Sequence, residues 1–172
     1  MDMHRIDRAF NFAKREHDLV GQVRKYSNDP YWVHCIEVKE LVQTTFHTED
    51  MLIAALLHDT VEDTRATLAQ IRAEFGQNVA RLVEELTDIS LPTDGNRVVR
   101  KTIDRNHLAK ASPEAQTIKL ADLIVNGRDI LAKDPKFAKV FLEEKRLLLK
   151  VLTKGCPMLM TQAQAIVAQG LH

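Results

Sequence analysis

Hydrophobic residues recur along the chain at the three-to-four-residue spacing of amphipathic helices, and this pattern predicts an all-α protein. Start and stop signals bound the helical segments. Three dipeptides combine an N-cap residue with Pro at the first helical position, Asp29-Pro30, Ser112-Pro113 and Asp134-Pro135. Three glycines stand where C-terminal caps are expected, Gly76, Gly155 and Gly170. No stretch shows sustained period-two alternation between turns, so we expect a bundle with little or no sheet.

These signals predict eight to nine helices. The predicted spans are approximately 4–19, 30–46, 49–63, 67–75, 77–88, 96–110, 113–132 and 135–153, with a last helix near 157–169. The segment 91–96, LPTDGN, is the clearest loop. It is too short for an interdomain linker.

Length and composition fit one domain, residues 1–172. The chain is 45% hydrophobic, which is enough to build one core without disulfides or structural zinc. The longest apolar run, Met51–Leu57, is far below the roughly 20 residues of a membrane span, and the N-terminus lacks the apolar core of a signal peptide. Cys35 and Cys156 form no disulfide framework. We therefore expect a cytoplasmic protein with no membrane partner.

Charge excludes general nucleic-acid binding. The 24 basic and 24 acidic residues cancel, so no global field attracts a polyanion. Only 5% of the residues are aromatic, and no aromatic ladder is interleaved with Lys and Arg. A small-molecule anion would have to be held by a local cluster. Apolar residues on the outer faces of helices leave a homodimer as an open alternative.

A group of potential metal ligands stands out within the helices. His58 and Asp59 are followed one helical turn later by Glu62 and Asp63, and His34 lies in another predicted helix. Imidazoles and carboxylates together suit Mn²⁺, Fe²⁺ or Zn²⁺. An isolated His-Asp pair is common by chance, so a core histidine is the alternative.

Asp122 is a further candidate ligand, because it lies among apolar residues of the seventh predicted helix. A carboxylate in such a place is costly unless a cation or a partner compensates its charge. The structural alternative is a pair with Lys119 or Asn126 on its own helix face.

Four ordered segments resemble the hydrolase domain of the RelA/SpoT-homologue family, most closely its stand-alone small alarmone hydrolases. They are AKREHDLVGQVRKYSNDPYWVHCIEV, AALLHDTVEDT, EFGQNVARLVEELTD and ASPEAQTIKLADLIVNGRDI. The resemblance covers about residues 9–153 and implies the HD-domain helical fold. Because the chain has no room for a synthetase domain, it also implies a hydrolase-only member.

The resemblance implies roles for six positions. Four stand where the family binds one Mn²⁺ ion, His34, His58, Asp59 and Asp122. Glu62 and Asp63 stand where the family keeps the acidic pair that handles the attacking water. The implied reaction removes pyrophosphate from the 3′ position of guanosine tetraphosphate or pentaphosphate, leaving GDP or GTP. Zn²⁺ and Fe²⁺ remain alternatives for the metal.

Nucleotide contacts are implied at Arg24, Lys25, Asn126 and Asp129, on the nucleoside side of the pocket. Lys101, next to Arg100, is a candidate phosphate contact by position. For each basic residue, a solvated surface position is the alternative.

Some positions depart from the family pattern, and they leave the preferred base open. Val125, Gly127 and Asp129 alter the nucleoside side, and Phe141 stands where relatives commonly carry Tyr. Phe cannot donate a hydrogen bond to phosphate or ribose. A (p)ppApp hydrolase and an NADPH phosphatase are therefore the enzymatic alternatives, and an alarmone-binding or scaffold HD module is the alternative without catalysis.

Overall fold

The computed structural model describes residues 3–171, which form ten α-helices and one 3₁₀ turn. The helices are α1 Met3–Leu19, α2 Trp32–Gln43, α3 Glu49–Leu57, α4 Thr60–Asp63, α5 Leu68–Phe75, α6 Gln77–Leu86, α7 Arg97–Ala109, α8 Pro113–Lys133, α9 Pro135–Leu149 and α10 Pro157–Leu171. The 3₁₀ turn is Pro92–Asp94, inside the expected loop. Within the described residues the only β-type pairing is one isolated bridge, so the all-α prediction is confirmed. None of the helices described combines the length and apolarity needed to cross a bilayer.

The chain divides into two compact units, one ending at Thr87 and the other beginning at Asp88. The first contains α1 to α6 and the second α7 to α10. The single domain expected from the sequence stays a prediction.

Helix α3 forms the centre of the first unit. All seven residues from Met51 to Leu57 are buried, and α1, α2 and α6 pack against the helix. A helix that is apolar on every side must be enclosed by protein, since no face of it can be hydrated favourably. The Thr48 hydroxyl accepts from the Met51 N–H and defines the start of this helix. The C-terminal end of α3 is thereby held at a defined position in the core.

The third predicted helix, 49–63, is in fact two helices, and the expectation of one continuous helix is wrong. His58 and Asp59 form a turn between α3 and α4. The reason lies in two side chains that hydrogen-bond to carbonyl groups of the preceding turn. The His58 ring meets the Ala55 carbonyl at 2.7 Å, and the Thr60 hydroxyl donates to the Leu57 carbonyl at 2.7 Å.

The start of α2 also differs from the prediction, because Pro30 belongs to the preceding loop and not to the helix. Pro30 pairs with Val23 in the isolated bridge, and the Tyr31 N–H donates to the Gln22 carbonyl at 3.2 Å. Asp29 is therefore not the N-cap. The loop between α1 and α2 folds back on itself and places Tyr31 directly before the helix that carries His34.

In the second unit, α8 and α9 pack against each other and against α10. Ser112 and Asp134 cap α8 and α9, as predicted. Gly155 is not a helix cap: a Cβ atom there would lie 2.6 Å from Leu120 Cδ1, so close packing explains the glycine better. Gly170 likewise lies inside α10 and not beyond it. Two of the three predicted glycine caps are therefore wrong, and only Gly76 caps its helix.

Candidate metal centre

The turn between α3 and α4 presents the His58 imidazole with a defined tautomer. Its Nδ1 lies 2.7 Å from the Ala55 carbonyl oxygen. Because a carbonyl can only accept, Nδ1 must carry the proton. The lone pair of the neutral ring is then on Nε2, which lies 2.9 Å from Asp59 Oδ2. A backbone contact at one ring nitrogen is the usual way in which a histidine ligand is oriented toward a metal.

His34, His58 and Asp59 come together within the first unit. Each offers a ligand atom, and these atoms lie within 4.8 Å of one another. His34 Nε2 is 3.8 Å from Asp59 Oδ2, and both histidines are buried. Two buried imidazoles beside one carboxylate form a donor set that is compatible with a divalent metal.

A hydroxyl group orients the Asp59 carboxylate. Tyr31 donates from its hydroxyl to Asp59 Oδ2 at 2.6 Å. Its ring also lies 5.3 Å from the His34 ring and 4.9 Å from the His17 ring, between centroids. Sequence reasoning missed Tyr31, because only the folded loop brings a residue outside the helix onto Asp59.

The two predicted acid/base residues lie on α4, the single turn after the candidate ligands. Both Glu62 and Asp63 are solvent-exposed as whole residues. The Asp63 N–H donates to the Asp59 carbonyl at 3.0 Å, so these two acids keep the predicted one-turn relation despite the break before α4. Partial loss of hydration, followed by the nearby Asp59 charge, raises the pKa of Asp63 above its ordinary value. Gln22 donates to Asp63 Oδ2 at 3.1 Å.

Asp122 belongs to the second unit, where both of its oxygens accept hydrogen bonds from its own helix. Lys119 Nζ lies 2.9 Å from Oδ2, and Asn126 donates to Oδ1 at 2.9 Å. Both of the pairs weighed for this buried aspartate are present. Its role as a fourth ligand stays a prediction.

The second unit also has an open pocket of about 400 Å³, a volume that includes space open to solvent. Four basic residues from α7, α8 and α9 line it, Lys101, Arg105, Lys119 and Lys145. Three acidic residues also line the pocket, Asp88, Asp104 and Glu144, and partners of the last two are defined. Asp104 accepts from Ile89 N–H, Ser90 N–H and the Ser90 hydroxyl, and Glu144 pairs with Arg97 at 2.6 Å.

Lys145 has an unusual ammonium group among these pocket residues. Burial, with the neighbouring charges of Lys119 and Lys101, lowers its pKa from 10.5 to about 8. Its Nζ lies over the Phe141 ring, 4.7 Å from the centroid. Lys145 was not predicted from the sequence, since nothing in the local pattern distinguishes it from the other lysines of α9.

The other predicted substrate contacts are distributed over both units. Arg24 is buried and pairs with Glu37 at 2.9 Å, whereas Lys25 is exposed and lies over the Tyr26 ring. Asp129 Oδ1 lies 3.6 Å from Lys133 Nζ. Their contacts with a nucleotide stay predictions.

Two of the departures from the family pattern lie in the interior of the second unit. Gly127 and Val125 are buried. A Cβ atom at Gly127 would lie 2.8 Å from Ile166 Cγ2 of α10. The glycine therefore permits close packing of α8 against α10.

With this geometry in view, comparison with known proteins identifies the family. A family model described as the HD domain matches residues 9–139. The chain belongs to the HD domain family. A solved HD-type structure, described as a metazoan ortholog of SpoT that hydrolyzes ppGpp and plays a role in starvation responses, superposes with a TM-score of 0.85. That match has 30% identity and covers 98% of this chain and 97% of the other.

Curated relatives agree with this assignment. The guanosine-3′,5′-bis(diphosphate) 3′-pyrophosphohydrolase MESH1 of Xenopus tropicalis is 39% identical over 132 residues, which cover 74% of this chain and 70% of MESH1. The probable GTP diphosphokinase RSH2 of Arabidopsis thaliana is 38% identical over 150 residues, but the chain spans only 21% of its length. The resemblance to RelA/SpoT-homologue hydrolase domains, and to the MESH1-like members in particular, is confirmed.

Proposed function

We propose that this HD-domain protein is a metal-dependent pyrophosphohydrolase that removes the 3′-diphosphate of guanosine tetraphosphate and pentaphosphate. The products are pyrophosphate and GDP or GTP. One observation carries the proposal: His34, His58 and Asp59 meet at the end of α3 in a chain that is 39% identical to MESH1, a named 3′-pyrophosphohydrolase.

The donor set fits a hard or borderline divalent ion, and we propose Mn²⁺. His58 offers Nε2 in a fixed tautomer, His34 offers a buried imidazole, and Asp59 offers a carboxylate held by Tyr31. We propose Asp122 as the fourth ligand, since it is buried and stands at the position that the family resemblance implies for a ligand. When bound, such an ion lowers the pKa of water and shields the phosphoryl oxygens. Zn²⁺ and Fe²⁺ are the alternatives that metal analysis distinguishes.

Glu62 and Asp63 perform the proton transfers in this proposal. The water oxygen bonds to the phosphorus attached to the 3′ oxygen, and the bond between that phosphorus and the 3′ oxygen breaks. One of the two acids takes a proton from the water, and the other delivers a proton to the 3′ oxygen. A proton exchange between the two acids, directly or through water, then restores their starting states. Their exposure on α4 suits contact with a substrate that enters from solvent.

Five residues are the proposed nucleotide contacts. Arg24 and Lys25, with Asn126 and Asp129, are the proposed nucleoside contacts. Lys101 is the proposed phosphate contact, because it lines a pocket with four basic and three acidic side chains, and two of those acids already have partners. Charge-assisted contacts of this kind suit a polyphosphate.

We also propose a cytoplasmic location, which suits the two free cysteines, Cys35 and Cys156. Nucleic acid and membranes are not proposed as partners. A homodimer is a separate question that light scattering would answer.

The test combines turnover with metal content. Metal-stripped protein is incubated with ppGpp, ppApp and NADPH, with and without Mn²⁺, and pyrophosphate and phosphate are quantified. We expect Mn²⁺-dependent pyrophosphate release from ppGpp. Pyrophosphate release from ppApp alone would show that the preferred base is adenine. Phosphate release from NADPH alone would show that the substrate is NADPH. A metal-loaded protein without turnover would overturn the enzymatic proposal.

Four variants test the assignment of roles. His58→Ala and Asp59→Ala are expected to lose both metal and turnover. Glu62→Gln and Asp63→Asn are expected to keep the metal but to lose turnover by roughly 10²–10⁴-fold, the contribution typical of a positioned acid or base. Normal turnover in the Asp59 variant would contradict the site, and normal turnover in both acid variants would contradict their role.

A further inference from the structure

The loop between α1 and α2 carries a glutamine whose backbone is held on both sides. The Gln22 N–H donates to the His17 carbonyl at 3.0 Å, and the Gln22 carbonyl accepts from the Tyr31 N–H at 3.2 Å. The residue is thereby tied to the end of α1 and to the start of α2. Its side chain begins from a defined position, which is unusual for a loop residue.

Both ends of the Gln22 amide have partners. The Gln22 Oε1 atom lies 2.7 Å from His17 Nδ1, and the Gln22 Nε2 atom donates to Asp63 Oδ2 at 3.1 Å. An ionised carboxylate can only accept, so the NH₂ end must face Asp63. The oxygen then faces His17, which must carry its proton on Nδ1.

His17 is suited to a fixed donor role because it is fully buried. Burial lowers its pKa below the ordinary value, which favours the neutral ring. With the proton on Nδ1, Nε2 is left as an acceptor, 3.8 Å from Cys35 Sγ. The thiol, the imidazole and the amide therefore form a hydrogen-bond chain in one direction, with the Asp63 carboxylate at its end.

We propose that Gln22 is a positioning residue that orients the Asp63 carboxylate for proton transfer, and that His17 fixes the orientation of the Gln22 amide. The inference rests on the proposed function, in which Asp63 handles protons. With Oδ2 engaged by Gln22, Oδ1 is left to face water or substrate. Tyr31 holds Asp59 in the same manner, so one loop orients two acids that lie one helical turn apart.

The contact is better explained by positioning than by stability. The hydrogen bond between Gln22 and Asp63 is solvent-exposed, and an exposed bond adds little to folding. Residues that orient metal ligands, in contrast, typically change activity by about 10–100-fold when they are removed, and we expect a similar loss for a residue that orients a catalytic acid. The two explanations therefore predict different measurements.

Gln22→Met removes both polar ends at similar size, and Gln22→Glu keeps an oxygen for His17 but removes the donor to Asp63. We expect kcat of both variants to fall by about 10–100-fold, with KM and metal content unchanged. Gln43→Met, at an exposed glutamine of α2, is the matched control and should behave as the wild type. Unchanged kcat in both Gln22 variants would overturn the proposal.

A double-variant cycle shows whether Gln22 acts through Asp63. Adding Gln22→Met to Asp63→Asn should cause little further loss, since the carboxylate that it positions is already gone. Multiplicative losses would mean that Gln22 acts elsewhere and would overturn the proposal. Full activity of Asp63→Asn alone would instead show that the acid was wrongly assigned, and would overturn both.

A spectroscopic measurement tests the chain without turnover. The ¹⁵N resonances of the His17 ring should show a neutral ring with the proton on Nδ1 in the wild type. Nδ1 should also carry a proton in Gln22→Glu, where the new carboxylate accepts from it. In Gln22→Met this preference should weaken, because Oε1 is absent. The side-chain amide protons of Gln22 should shift on Asp63→Asn. A wild-type ring protonated on Nε2, or amide protons that do not respond, would overturn the inference even if the protein proves inactive on every nucleotide.

Discussion

At the scale of single residues, the Tyr31 hydroxyl has the clearest consequence for the candidate metal centre. Its hydrogen bond to Asp59 Oδ2 orients the carboxylate and stabilises the ionised form that a metal needs. Tyr31→Phe should therefore lower metal affinity by about 10–100-fold. Competition with a chelating dye would measure this, and thermal unfolding of the metal-free protein should change little. Unaltered affinity would show that Tyr31 does not orient a ligand.

Lys145 gives a prediction of pH dependence. Its pKa in the folded protein is about 8, whereas the unfolded value is near 10.5. Between these values the unfolded chain binds a proton that the folded chain has released, so this group makes stability rise as pH increases. At pH 7 the charged ammonium group destabilises the folded protein. Lys145→Met removes this cost and should therefore raise the free energy of unfolding at pH 7. The difference from the wild type should become smaller toward pH 10.

Urea denaturation at several pH values measures the Lys145 effect. Lys139→Met, at an exposed lysine of the same helix, is the matched control. If both variants follow the wild-type curve at every pH, the folded protein imposes no cost on the Lys145 charge.

At the scale of elements, Gln116 of α8 joins three segments of the second unit. Its buried amide donates to the Leu108 carbonyl at 3.0 Å and accepts from the Lys154 N–H at 2.9 Å. These partners lie at the end of α7 and after α9. The Leu108 carbonyl and the Lys154 N–H are both at least partly shielded from solvent. The glutamine therefore supplies hydrogen bonds that water does not provide to these backbone groups.

Gln116→Met should therefore destabilise the protein by about 1–3 kcal/mol for each buried group that loses its partner. Urea denaturation gives the value. Gln162→Met, in α10, is a control from the same unit that lacks these backbone contacts among the bonds described. A loss no larger than that of the control would mean that water replaces the amide.

At the scale of the whole molecule, metal binding should be linked to folding. An ion that binds only the folded state adds about 2.7 kcal/mol to the free energy of unfolding when its concentration is a hundred times its Kd. For a chain of this length we expect Mn²⁺ to raise Tm by roughly 5–10 °C. His58→Ala should abolish the increase. His47→Ala should retain it, since His47 is a matched histidine whose Nδ1 also faces a backbone carbonyl.

Asp122→Asn tests the proposed fourth ligand. The metal-free Tm of this variant should fall, because the half-buried Lys119 loses a charged partner. If Asp122 is a ligand, the increase in Tm on adding Mn²⁺, measured from the variant's own metal-free value, is smaller than in the wild type. An increase equal to that of the wild type would show that Asp122 is not a ligand.

How much of this was accessible from the sequence depends on the range of the interactions involved. Helix caps at Ser112 and Asp134, and the buried apolar stretch around α3, follow from neighbours within one or two turns. The candidate ligands were recognisable because ordered motifs resemble a known family. The break before α4 was missed, because helical periodicity does not show when the His58 and Thr60 side chains bind preceding carbonyls.

By itself the sequence determined the all-α class, most helix bounds, the HD family and the identity of the candidate ligands, since these depend on local patterning and on motif order. Only the tertiary structure decided which groups orient them. Tyr31 reaches Asp59, and Gln22 reaches Asp63, across 28 and 41 positions of sequence. Contacts over such distances depend on how a loop folds back onto a helix, and no periodicity in a single chain encodes that.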